Sequence, residues 1–76
     1  MKEKVFDIIA QVMNVPIESV TEESSPESIE TWDSLKHMSL ILTLEEEFGV
    51  QFSDEEIVTM LNVGLILETL NSKLAS

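Results

Sequence analysis

The sequence predicts an all-α fold: a small four-helix bundle, three major helices and one short one, with a long first loop. Three observations carry that reading. Apolar residues recur at spacings of three and four, and no strand-like alternation appears. Residues that start and stop helices bracket the apolar runs. The chain is also apolar enough to fold, with 43% hydrophobic residues and only two glycines and two prolines in 76 positions. Disordered chains of comparable charge lack that apolar content. A single domain over 1–76 is the expected organisation.

The elements follow in order. Over residues 2–13, Val5, Phe6, Ile8, Ile9, Val12 and Met13 line one face of an amphipathic helix. It must stop before Pro16, since the residue preceding a proline is pushed out of the helical region. From Val15 to Trp32 the pattern dissolves into Pro16, Pro26, four serines and five glutamates. Ile17, Val20, Ile29 and Trp32 punctuate this long loop and should pin it to the core. Asp33 offers an N-cap to a helix over 34–48, and Gly49 stands at the C′ position. Ser53 and Glu56 form a capping box that opens a short helix to about Leu61. Asn62 then caps a last helix carrying Val63, Ile66, Leu67, Leu70 and Leu74.

Charge narrows the function. Fifteen acids against four lysines leave a net charge of −11, which disfavours nucleic acid and anionic membrane surfaces and suits a basic protein partner. The absence of cysteine excludes a disulfide framework and a thiolate nucleophile. No signal peptide is visible, and Leu65-Ile66-Leu67 with Val63 falls far short of a membrane span. A cytoplasmic monomer is expected.

The helix over 34–48 carries more apolar surface than a bundle can cover. At about 100° per residue, Leu40, Ile41, Leu44 and Phe48 share one side, while Leu35, Met38 and Leu42 occupy the opposite one. In so small a chain one side must face water, so the second stripe reads as a docking surface, fringed by Glu45, Glu46 and Glu47. The competing interpretation is a helix buried all round.

Candidate chemistry is sparse. Ser34 follows Asp33 at the helix start, where free N–H groups and partial positive charge favour an esterified phosphate, although Ser and Asp are also ordinary helix-start residues. His37, the sole histidine, has neither an oxyanion hole nor a G-x-S-x-G elbow to make a hydrolase with Ser34, and by angle it points toward the core. Trp32, the sole tryptophan, reads as a loop anchor. The acidic clusters 45–47 and 54–56 lack the alternating ligands and central glycine of a calcium loop, so no metal site is expected. Nothing here makes an enzyme.

The run Asp33-Ser34-Leu35, then Leu40-Ile41-Leu42-Thr43-Leu44-Glu45-Glu46-Glu47-Phe48-Gly49-Val50, then Phe52-Ser53-Asp54-Glu55-Glu56, resembles the acyl carrier protein family, including its peptidyl and D-alanyl carriers. The resemblance covers essentially the whole chain and is clearest over 32–57. It departs where Glu30-Thr31-Trp32 replaces a common glycine, and where Lys36, His37 and Ser39 make the helix start less acidic. It implies 4′-phosphopantetheine, attached from coenzyme A to Ser34 by a phosphopantetheinyl transferase, with Asp33 capping the helix and supporting the transfer. The arm would hold acyl or aminoacyl groups as thioesters and present them to a loading ligase and downstream biosynthetic enzymes. Leu35, Met38, Leu42, Glu45 and Glu46 would face those partners. The rival class is an acidic helical interaction module with no prosthetic group.

Overall fold

In the computed structural model, which describes residues 2–75, the chain forms four α-helices: α1 (Lys2–Met13), α2 (Ser34–Phe48), α3 (Asp54–Thr59) and α4 (Val63–Ala75). A 3-10 turn at Ile17–Ser19 interrupts the long first loop. The bundle and its short third helix match the sequence expectation. Val5, Ile8, Ile9 and Met13 of α1, Leu40, Ile41 and Leu44 of α2, and Val63, Ile66 and Leu70 of α4 form the core. Phe52 and Met60, on either side of α3, are buried, while α3 itself contributes no buried residue.

The helix ends obey local chemistry. α1 stops at Met13, two residues before the proline restriction takes hold, because Asn14 adopts φ 58° and the Val15 N–H donates to the Ala10 carbonyl. α2 ends likewise: Gly49 sits at φ 65° and the Val50 N–H donates to the Glu45 carbonyl at 3.2 Å. The Ser53–Glu56 capping box is complete, with Ser53 N–H on the Glu56 carboxylate at 2.8 Å and Glu56 N–H on the Ser53 hydroxyl at 3.2 Å. α3 is shorter than the expected run to Leu61, because Met60 leaves helical geometry to bury its side chain.

The loop from 15 to 33 is pinned by more than apolar contacts. Val20, Ile29 and Trp32 are buried as expected; Ile17 is not, and stands 42% exposed on the 3-10 turn. Its fastening is also polar. The Thr31 hydroxyl donates to the Met13 carbonyl at 2.6 Å. The carbonyls of Ser24 and Glu22 accept from Val63 and Gly64 N–H, satisfying the start of α4 together with the Asn62 side chain. Gly64 makes room for this approach: a Cβ would meet the Glu22 carbonyl oxygen and Asn62 Oδ1 at 3.3 Å each, a tight contact. The Cα radius of gyration, 11.2 Å, is close to the value of about 11.4 Å for this many residues packed about one core.

Candidate functional site

Asp33 places Ser34. The Asp33 backbone is extended and its carboxylate accepts the Lys36 N–H at 2.9 Å, while its carbonyl accepts the His37 N–H at 2.8 Å. α2 therefore begins at Ser34. The Ser34 side chain is exposed, and among the described residues its hydroxyl has no hydrogen-bond partner. The N–H groups of Ser34 and Leu35 likewise find no acceptor there, leaving two donors at the positive end of a fifteen-residue helix.

Beside Ser34 lies an open groove of about 600 Å³ between the start of α2, the loop and α3. Trp32, Met38, Ile57, Met60 and Leu61 make its walls apolar, and Asp33 and His37 are its titratable members. Trp32 is 2% exposed, the loop anchor that the sequence suggests. Its indole N–H donates to His37 Nδ1 at 3.0 Å, with the two rings 23° from parallel. With Nδ1 accepting, the other imidazole nitrogen carries the proton and donates to the Ile57 carbonyl at 2.9 Å. His37 is thus half-buried and structural, and it is no partner to the Ser34 hydroxyl.

The two stripes of α2 separate as the helical angles require. Leu40, Ile41 and Leu44 are at most 1% exposed and Phe48 packs against them, whereas Leu35, Met38 and Leu42 are 80%, 45% and 58% exposed. Val58 and Leu61 add a second exposed apolar edge across the groove, one that sequence reasoning missed because a helix of six residues is too short to show a face by its period. The acids at the lower end of the stripe differ in kind. Glu46 is exposed, while Glu45 is half-buried and accepts the Phe52 N–H at 2.9 Å, tying the turn after α2 to the helix. A contact between residues seven apart across a turn leaves no periodic trace. Among the described residues no three His, Asp or Glu side chains converge as a metal-ligand cluster. No described helix is long and apolar enough to cross a membrane.

The family model described as "Phosphopantetheine attachment site" matches residues 3–70. An acyl carrier protein of Thermosynechococcus vestitus is 40% identical over 74 residues, 97% of this chain and 91% of that protein. The chain belongs to the acyl carrier protein family. The solution structure of a holo acyl carrier protein from Geobacter metallireducens superposes with a TM-score of 0.87 at 34% identity, over 97% of this chain and 85% of that one. As a member of the family, this chain is a carrier whose prosthetic group is 4′-phosphopantetheine. The thiol that a cysteine-free chain lacks comes with that group.

Proposed function

We propose that Ser34 is the attachment residue and that the carrier works by holding acyl or aminoacyl thioesters on the arm it bears. The observation that supports this most directly is the exposed, unpartnered Ser34 hydroxyl at the first position of α2. A phosphodiester formed there would meet the free N–H groups of Ser34 and Leu35 and the helix dipole. The residues present fit the group. Asp33 supports it by fixing where the helix starts, so that the hydroxyl and these donors point outward together. When bound, the prosthetic group supplies a flexible tether and a thiol; the chain supplies a rigid, recognisable base.

Partner enzymes then read the base. Leu35, Met38 and Leu42 offer apolar anchors on the helix that Ser34 begins, and Glu46 sets an acidic margin for a basic enzyme surface while Glu45 holds the turn beside it. A phosphopantetheinyl transferase, a loading ligase and the downstream biosynthetic enzymes are the partners of this reading. The chain acts as a monomeric, single-domain cytoplasmic carrier, and catalysis belongs to those enzymes.

Intact mass after incubation with coenzyme A, Mg²⁺ and a broad-specificity transferase tests it. The wild-type chain should gain one phosphopantetheine, and Ser34→Ala should gain none while keeping its helical circular dichroism. Modification that persists in Ser34→Ala, or that maps to Ser39 or Ser53, would falsify the assignment. A wild-type chain that gains no mass would leave the plain acidic interaction module as the better description.

A further inference from the structure

Resting on the reading that Ser34 bears the arm, we propose that His37 is a positioning residue for that serine, acting with Trp32 and α3 as a three-way clasp. One imidazole satisfies two groups that would otherwise be orphans. Trp32 is buried, and its indole N–H needs an acceptor, which His37 Nδ1 provides. Ile57 lies in the last turn of α3, where the carbonyl that a continuing helix would have matched to the Leu61 N–H has lost it, because Leu61 donates to Thr59 instead. The His37 Nε2–H takes that carbonyl. The clasp therefore spans the groove beside Ser34: the loop end at 32, one turn of α2 at 37, and the closing turn of α3 at 57.

Its mechanical reach follows from what else holds these segments. α3 has no fully buried residue; besides the His37 bond it is held by the partly buried Ile57, by Phe52 and Met60 at its ends, by the capping box and by the Glu56–Lys73 ion pair. Trp32 stands immediately before the Asp33 cap, so its seat fixes the path by which the chain enters α2. Without the Nδ1 acceptor the indole leaves an unsatisfied donor in the core or moves out. In either case the backbone at 32–33 keeps the Thr31–Met13 bond behind it but loses the bond that sets the seat of Trp32, and the Ser34 hydroxyl loses its fixed bearing. Of the docking stripe Leu35, Met38 and Leu42 only Met38 borders the groove, and none of the three is a member of the clasp, so partner affinity is left alone.

Asparagine and glutamine divide the clasp, since the Asn amide overlays the Nδ1 side of histidine and the Gln amide the Nε2 side. His37→Asn can keep the Trp32 bond, His37→Gln the Ile57 bond, and Trp32→Phe removes the donor while keeping an aromatic anchor. On folded protein, transferase kinetics with coenzyme A should show kcat lower by about fivefold, the scale of one neutral hydrogen bond, in His37→Gln and Trp32→Phe. The KM for the carrier should be unchanged, His37→Asn should stay nearer wild type, and the double variant His37→Gln/Trp32→Phe should be no slower than either alone. Nitrogen-15 spectra of the wild-type imidazole should show Nε2 protonated and Nδ1 bare, with the indole N–H resonance shifted in His37→Gln. Wild-type kcat in folded His37→Gln and Trp32→Phe, a rise in KM alone, or a protonated Nδ1 in the neutral ring overturns the clasp. A Ser34→Ala chain that still accepts the arm overturns the attachment reading instead, and the two failures are told apart by that one control.

Discussion

At the scale of single residues, backbone conformation and charge pairing lead to two expectations. Gly49 holds φ 65° with open space around its Cα, so Gly49→Ala meets no clash and costs only the left-handed strain, about 1 kcal/mol. Urea denaturation should show that loss with an unchanged slope, and Asn at the same position should recover part of it. Glu56 is the second case. Its carboxylate accepts from Lys73 at 2.8 Å and from the Ser53 N–H, and these two bonds, the lysine's first, hold its pKa below the usual 4.5. A carboxyl depressed in the folded state stabilises the protein fully above its unfolded value. That stabilisation is lost as pH falls through the lower folded value. Glu56→Gln keeps an acceptor for the cap but loses the charge. The gap in urea midpoint between wild type and Glu56→Gln should therefore be widest well above pH 4.5 and shrink as the pH falls below that value. A gap that stays constant through that range would rule out the charge as its source.

Single elements set the next scale, and α2 is the informative one because its two faces do different work. Leu44 is fully buried and Met38 is 45% exposed. Leu44→Ala should cost about 2–5 kcal/mol, whereas Met38→Ala should leave the urea midpoint nearly in place and raise the KM of a transferase or cognate enzyme. Equal losses of stability in the two variants would return the exposed stripe to the core. Glu45 behaves differently from its neighbour Glu46. Glu45→Ala strips the acceptor from the Phe52 N–H and should lower stability, while Glu46→Ala should affect mainly association rate and its salt dependence. This separates an acid that builds the turn from one that faces the partner, a division the run Glu45-Glu46-Glu47 does not display.

Over the whole molecule, charge is the dominant frustration. Three of the four lysines are paired: Lys2 with Glu22, Lys4 with Glu47 and Lys73 with Glu56, each also lying over the ring of Phe6, Phe48 or Phe52. Pairs at or near the surface contribute only about 0–1 kcal/mol each, so they leave the repulsion among fifteen acids largely uncompensated. The Tm at neutral pH should rise with added NaCl and with divalent cations, the latter by screening at the acidic clusters. A Tm indifferent to ionic strength would show that the surface pairs offset the net charge after all. Lys36 alone among the lysines has no acidic partner in the described structure, so Lys36→Glu should increase the salt dependence further.

Whatever rests on near neighbours along the chain is legible in residue order. The four helices, the Asp33 and Ser53 caps, the Gly49 stop and the two stripes of α2 all arise from interactions within about four residues or from helical period, which is written into residue order. The position of Ser34 at a helix start belongs to the same class. What crosses from one element to another was set by the packing of the folded chain. It exposed Ile17, ended α3 early so that Met60 could be buried, hung the start of α4 on the carbonyls of Glu22 and Ser24, and joined Trp32, His37 and Ile57. Angles on an isolated helix place His37 toward the core, but they carry no information on which donor and which carbonyl meet it there. Hydrogen bonds of that kind depend on how separate segments approach in space, and the only physical requirement they answer is that no buried polar group be left unpaired.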